Sequence, residues 1–351
     1  MKNTDVRIET LLIRRCSFPF LFPFKTAQGQ KTTTHNLQLR IQLSSKTIGT
    51  AEASTSIAMP EQTPQAMEFA IQRLLPYLIH QPIVHYRSII QQCWAAESQY
   101  PTAVAAIECA LLEAYTKTIQ QPLYQFLGTK NQPIETDYTL SIDTPERLYA
   151  NTLRMKTKGF RKFKLKLKED RLETNLSRIQ AVLRAVPNAN IVIDGNQGWS
   201  LRGALQFLKK LEEHHITIHF FEQPFPKKEI DMMKAFRKKC HIPLFADESA
   251  QTSKDALLLC DNDAVDGINI KVAKCGLLDA LEMIRIAKGY HKKIAIGCME
   301  ESRLGLTPSV HLACGVGAFD WIDLDSIYLL KPERTSVNYA IQGPFLSVEP
   351  L

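Results

Sequence analysis

Four short apolar segments, each closed by one charged residue, recur at nearly even intervals along the middle of this 351-residue chain. Ile191-Val192-Ile193-Asp194, His219-Phe220-Phe221-Glu222 and Leu244-Phe245-Ala246-Asp247 end in acids spaced 28 and 25 residues apart, and Gly267-Ile268-Asn269-Ile270-Lys271 ends in a lysine 24 residues later. Each interval fits one strand, a loop, a helix and a second loop, so the terminal charges fall at the same end of neighbouring parallel strands. Three carboxylates converging there repel one another unless a cation lies between them, and hard oxygen ligands in that number suit Mg²⁺. Upstream, Lys162-Phe163-Lys164-Leu165-Lys166-Leu167-Lys168 alternates lysine with apolar residues, the period of a strand with its lysines on one face. Alone, that pattern equally describes an edge strand with a solvated basic face. Beside a metal site, lysines on both sides of the ion make sense as proton-transfer groups.

From about residue 134 onward eight strand candidates alternate with helical patterns: 137–141, the lysine strand, the three acid-ended strands, 268–271, 294–297 and 319–323. Eight such units predict an α/β chain folded as a (β/α)7-8 TIM-type barrel with its site at the carboxyl ends of the strands. A doubly wound open sheet is the other arrangement of such units, but no GxGxxG or Walker pattern accompanies it. Before the barrel, segments 5–15, 37–44 and 47–54 predict an antiparallel meander joined by Pro/Gly/Gln/Thr-containing loops. Helical spacing follows over 65–79, 86–96 and 102–119. The expected division is therefore an α+β capping and lid domain over 1–130, the catalytic barrel over 131–325, and a segment 326–351 that returns to complete the capping domain.

The net charge of +7, from 43 basic and 36 acidic residues, is too balanced to imply nucleic-acid binding and hints only at affinity for anions. The eight cysteines, at 16, 93, 109, 240, 260, 275, 298 and 314, form no CxxC pair and lie mostly in apolar segments, as reduced thiols of a cytoplasmic protein do. No apolar run approaches the length of a membrane span, and no secretory leader is evident.

Pro23-Phe24-Lys25-Thr26, Thr136-Asp137-Tyr138-Thr139, Lys164-Leu165-Lys166, Asp194-Gly195-Asn196-Gln197-Gly198-Trp199, Glu222-Gln223-Pro224, Ala246-Asp247-Glu248-Ser249, Asn269-Ile270-Lys271 and Asp323-Leu324-Asp325 follow one another in an order that covers nearly the whole chain. Together they resemble the enolase superfamily, specifically its muconate-lactonising subgroup and within it the dipeptide epimerases that act on Ala-Xaa and L-Ala-D/L-Glu. The resemblance implies that Asp194, Glu222 and Asp247 hold one Mg²⁺ per subunit, with Mn²⁺ able to substitute. It further implies that Lys166 and Lys271 are an acid/base pair inverting the α-carbon of the C-terminal residue through an enediolate, and that Asp323 and Asp325 hold the substrate's α-ammonium group. Such sites, with a Lys or His base and Mg²⁺, are a known pattern of this superfamily. Lys164 would disfavour the ammonium form of Lys166 and, with Thr139, Cys298 and Met299, line the substrate site, while Asn196, Glu248 and Asn269 support the metal ligands. The partners implied are a small dipeptide and further copies of the chain in a homo-oligomer, with no nucleic acid and no membrane.

Two positions depart from the family pattern. Where Ala-Glu enzymes of the family it resembles carry a lid arginine, this chain has Gly29, flanked by Gln28 and Gln30, with Lys31 only a partial replacement. In Gly297-Cys298-Met299-Glu300-Glu301-Ser302-Arg303-Leu304-Gly305, Glu300 occupies a normally apolar place. It either faces the pocket and attracts a cationic or hydrogen-bonding side chain, or turns outward to pair with Arg303 and leaves an apolar pocket. Both alternatives make glutamate a poor second residue. The rivals from other classes are a polyanion-binding protein using its lysine strand, opposed by the acids at the strand ends, and a barrel that binds a small acid without turnover. A related Mg²⁺-dependent cycloisomerase, o-succinylbenzoate synthase or N-acylamino acid racemase is nearer in chemistry, but would leave the Asp-x-Asp without a job.

Overall fold

The computed structural model describes residues 6–348. It begins with a three-stranded antiparallel sheet, β1 (Ile8–Thr26), β2 (Gly29–Leu43) and β3 (Ile48–Ala53), followed by α1 (Pro64–Leu78), α2 (Tyr86–Glu97), α3 (Pro101–Thr118) and α4 (Leu123–Leu127). α1 starts where the Thr63 side chain accepts from the Ala66 amide and Pro64 takes the first helical position, where its missing N–H is no loss. Met67, Ala70, Ile71, Leu74 and Leu78 then bury one face of it.

The first two strands run much further than the sequence predicts, and the expected loop between them is a hairpin turning at Ala27 and Gln28. Pro19 and Pro23 made the segment read as a loop, because proline cannot donate to a ladder. β1 is an edge strand, so those missing donors cost nothing. The register jumps between Pro19↔Thr33 and Phe24↔Lys31, so four residues of β1 bulge opposite one of β2. Asp5, where the first strand was expected to begin, and residues 349–351 lie outside the described residues.

After the short β4 (Ile134–Glu135) comes the barrel. Its strands and helices alternate as β5 (Tyr138–Leu140), α5 (Pro145–Lys156), β6 (Lys162–Lys166), α6 (Leu172–Ala185), β7 (Asn190–Asp194), α7 (Leu201–Glu213), β8 (Phe221–Glu222), α8 (Ile230–Arg237), β9 (Leu244–Ala246), α9 (Ser253–Asp261), β10 (Gly267–Ile270), α10 (Val272–Gly289), β11 (Lys293–Gly297), α11 (Arg303–Val316) and β12 (Trp321–Asp323). The eight strands pair in sequence order, all parallel. The Asp137 amide, donating to the Ile322 carbonyl at 3.0 Å, joins the two ends of the sheet. α12 (Ser326–Leu329) leads to an antiparallel pair, β13 (Tyr339–Gln342) and β14 (Phe345–Val348), which extends β4 into a second small sheet. The same terminal segment touches the capping sheet, since Leu330 bridges to Phe20 and the Lys331 amide donates to Pro19 O at 2.8 Å.

Two carboxylates of the capping domain sit on helix starts of the barrel, where orphan amides and the helix dipole favour an anion. Glu52 of β3 accepts from the amide and hydroxyl of Ser302, the N-cap of α11. Glu108 of α3 accepts from the Leu278 amide at 2.7 Å, where α10 resumes after a non-helical break at Gly276, and from the Trp94 indole at 2.8 Å, although burial pushes its carboxyl up to about 7. Gly276 makes this second contact possible: its φ is 75°, and a Cβ there would lie 2.3 Å from Glu108 Oε2. Gly276→Ala is therefore expected to cost about 2 kcal/mol or more, from positive-φ strain plus the clash. An unchanged urea midpoint would show that Glu108 yields freely.

All eight cysteines are unpaired, with Cys16, Cys240 and Cys298 half-buried and the rest buried. No described helix is long and apolar enough to cross a membrane.

Candidate active site

Strand order decides which side chains meet at the carboxyl end of the barrel. β7, β8 and β9 deliver Asp194, Glu222 and Asp247, all buried, and one oxygen of each lies within 4.8 Å of the others. β6 and β10, four places apart around the eight-stranded sheet, deliver Lys166 at the end of one and Lys271 just past the end of the other. Each lysine donates to the acid nearest it: Lys166 Nζ to Asp194 at 2.8 Å and Lys271 Nζ to Asp247 at 2.7 Å. On the side away from the three acids, β12 and the turn after it bring Asp323 and Asp325, and β5 brings Thr139, whose amide donates to Asp325 at 2.5 Å.

Lys164, one pleat below Lys166, binds Asp323 at 2.7 Å, Glu222 at 2.8 Å and Asp194 at 3.3 Å, joining the two ends of the cavity. Burial alone would lower its pKa; Asp323, then Glu222 and Asp194, outweigh that and keep it charged. Of the outer lysines of that strand, Lys162 is half-buried against Glu135 and Lys168 is exposed.

The three converging acids fit a divalent cation. Burial, then the charges of Asp194 and Asp247, raise Glu222 to about 7 although Lys164 donates to it, so a further cation is favoured beside it. Asp194, whose burial would raise it, is brought down to about 2 by Lys166 and Lys164. Asp247 is likewise buried, yet held low by Lys271 and Lys274. Asn269 donates to Glu222 at 3.0 Å, while Asn196 donates from its amide to Asp194 at 2.9 Å and accepts from Lys166 at 3.2 Å. Glu248, raised to about 8 by burial and then by Asp247 and Asp194, receives the Asn196 side chain at 3.4 Å.

Lys274 escaped sequence reasoning, although it stands three residues after Lys271. The turn before Gly276 brings its Nζ back to Asp247 Oδ1 at 2.8 Å and Asp247 O at 2.7 Å. Gln223 was read only as part of a motif, yet its side-chain oxygen accepts from the amides of Asp247 and Ser249 at 2.9 and 3.0 Å, fixing the turn after β9.

The lid closes the cavity from above. Phe24 lies 5.6 Å from Lys166 Nζ, and Phe20 stacks on Phe24 at 5.3 Å between ring centres. Cys298, Met299 and Glu300 line the cavity, together with Ser56 and Ile57 from the loop after β3. Gly29 is exposed at the hairpin turn with Ile57 beside it; its neighbour Gln28 reaches the cavity instead. Glu300 does not pair with Arg303. Its Oε1 accepts from the Ile57 amide at 3.2 Å and from Ser56 Oγ at 3.4 Å. Oε2 has no hydrogen-bond donor among the described residues, and Lys31 Nζ stands 3.7 Å away.

Comparison with known proteins gives the same picture. Residues 8–128 match the mandelate racemase/muconate lactonizing enzyme N-terminal domain, and residues 148–348 match the enolase C-terminal domain-like family. The L-Ala-D/L-Glu epimerase of Thermotoga maritima is 32% identical, over 93% of this chain and 94% of its own length. A substrate-liganded L-Ala-D/L-Glu epimerase from Bacillus subtilis superposes with a TM-score of 0.92 at 28% identity, covering 98% of this chain and 96% of that one. The dipeptide epimerase of Enterococcus faecalis V583, complexed with Mg and L-Leu-L-Tyr, superposes at 0.92 with 26% identity over 98% of both chains. With both halves of the fold matched, the chain belongs to the mandelate racemase/muconate lactonizing enzyme family of the enolase superfamily.

Proposed function

We propose that this protein is a dipeptide epimerase, inverting the α-carbon of the C-terminal residue of a dipeptide. The observation that carries this reading is the cavity with one lysine on each side, three acids at one end and an aspartate pair at the other. Asp194, Glu222 and Asp247 would hold Mg²⁺, which when bound would supply positive charge against the negative charge that builds on the substrate carboxylate. With the carboxylate at that end and the ammonium group at Asp323 and Asp325, the α-carbon lies between Lys166 and Lys271. One lysine then takes the proton from one face as the carbon flattens, and the other returns a proton to the opposite face. Asp323 and Asp325 favour a free ammonium group, which a cycloisomerase substrate lacks. Burial and its neighbour Asp323 raise Asp325 to about 7, so this pair gains from a cation as the three acids do.

The test is incubation with Mg²⁺ and a dipeptide library in D₂O, read by mass. Incorporation of one deuteron at the C-terminal α-carbon, with both epimers appearing, is expected. Exchange in no dipeptide would overturn the assignment.

Glu300 bears on the second side chain. Its Oε2 in the cavity wall lacks a hydrogen-bond donor and has only Lys31 at 3.7 Å, a lysine that also donates to Thr55 at 3.4 Å, so the position favours a donor side chain over a carboxylate. Ala-Lys and Ala-Thr are expected to exceed Ala-Glu in kcat/KM by about tenfold or more, and Glu300→Leu to shrink that preference. Ala-Glu as the best wild-type substrate would refute the pocket assignment; an unchanged Ala-Lys value in the variant would remove Glu300 alone.

A further inference from the structure

The catalytic cavity is small, about 50 Å³, whereas a groove of about 580 Å³ opens beside it between the lid strand β1 and helix α5. The two share Phe20, Phe24, Thr139 and Leu329 as common walls. Thr139 is also the residue whose amide binds Asp325, so the groove begins next to the aspartate pair. Its further surface is largely apolar, with Phe22 on the lid and Leu148 on α5 facing it. Arg154 closes the far side: the guanidinium lies 5.4 Å from the centre of the Phe22 ring and donates to the Tyr138 hydroxyl at 3.1 Å and Asn151 at 2.7 Å. Phe22 is 58% exposed, a large apolar surface at the mouth of a site and not folded into any core.

Resting on the dipeptide reading above, we propose that this groove receives the side chain of the first residue of the substrate, and that the residue is large and apolar or aromatic, not alanine. A residue whose ammonium sits at Asp323 and Asp325 carries its side chain on the carbon bonded to that nitrogen. The space adjoining that carbon is the Phe20, Phe22, Phe24 and Leu148 groove. The volume suits a side chain far larger than methyl, and apolar burial there adds binding that alanine cannot supply. Arg147 and Arg154 also line the groove, Arg147 paired with Asp143 at 3.6 Å and Arg154 donating to neutral acceptors, so the apolar preference rests on the Phe20, Phe22, Phe24 and Leu148 walls.

The experiment compares kcat/KM for Ala-Thr, Leu-Thr and Phe-Thr with Mg²⁺, read as α-deuteration of the threonine. Leu-Thr or Phe-Thr is expected to exceed Ala-Thr by about tenfold or more, the scale of a few buried methylenes. Two substitutions at exposed positions bear on the groove: Ala150→Trp, which fills it from α5, and Phe22→Ala, which removes one wall. Each is expected to cut the Phe-Thr to Ala-Thr ratio by about tenfold. Ala-Thr as the best substrate, or a ratio that neither variant moves, overturns the proposal while leaving the epimerase assignment standing. Exchange in none of the dipeptides overturns both.

Discussion

Alanine in place of Lys166 or of Lys271 is expected to lower epimerisation by about a thousandfold or more, within the range that a positioned acid or base contributes. The two losses differ in kind. With Lys166 gone, only the face served by Lys271 can exchange, so the α-proton of one epimer washes out in D₂O while that of the other persists; Lys271→Ala shows the opposite preference. Supplying the two epimers separately and following the α-proton signal by NMR distinguishes this from general damage, which would slow both alike. Epimerisation at the wild-type rate in either variant would mean that the pair is misassigned. Phe24, packed over the Lys166 ammonium, adds a check: Phe24→Ala should slow both directions without choosing between faces.

Removal of the metal is expected to have the second largest effect. EDTA should abolish turnover, and Mg²⁺ should restore it and raise Tm, since an ion bound at a hundred times its Kd adds about 2.7 kcal/mol to stability. Glu222→Gln is the most informative single change. Glutamine keeps an acceptor and the shape of a neutral carboxyl, Glu222 is the acid of the three whose surroundings raise it, and Lys164 keeps Asp323 and Asp194 as partners when it is replaced. The variant should therefore hold its urea midpoint near wild type, lose the Mg²⁺-dependent rise in Tm, and lose activity. Asp194→Asn and Asp247→Asn should also be inactive, but each strips charge from buried lysines and should be less stable than Glu222→Gln. Full turnover in EDTA would refute the metal assignment.

The catalytic end of the barrel was legible because its residue types are expensive to bury. An acid or lysine at the end of an apolar run has few explanations, and the near-even interval placed them on adjacent strands; Asp194, Glu222, Asp247, Lys166 and Lys271 all lie at the mouth the pattern predicts. The helices of the capping domain were equally plain from their apolar stripes. What escaped was decided by contacts distant in sequence. The lid hairpin was obscured by Pro19 and Pro23, whose tolerance depends on β1 being an edge strand, a fact of the sheet and not of the segment. Lys274 was missed because strand and helix periodicity both ignore a turn that doubles back, and the turn depends on Gly276 meeting Glu108 of another domain. Glu300 could be placed in sequence but not oriented. Ser56 and Ile57, more than two hundred residues away, supply the donors that turn it inward.

The seating of Glu52 and Glu108 on α11 and α10 bears on how the chain can be divided. Neither half is a module in the sense of being finished by itself. A barrel produced from residue 131 onward would lack the Glu52 and Glu108 acceptors at those two helix starts, and the capping half would hold the same two carboxylates facing water. During synthesis the order is favourable: the acceptors are made first, and each waits for a helix that emerges more than 150 residues later. A circular permutant that reversed this order would keep every contact of the finished molecule and lose only the waiting partner. Comparing its refolding yield with that of the natural order would separate what these two carboxylates do for the folded protein from what they do for its assembly.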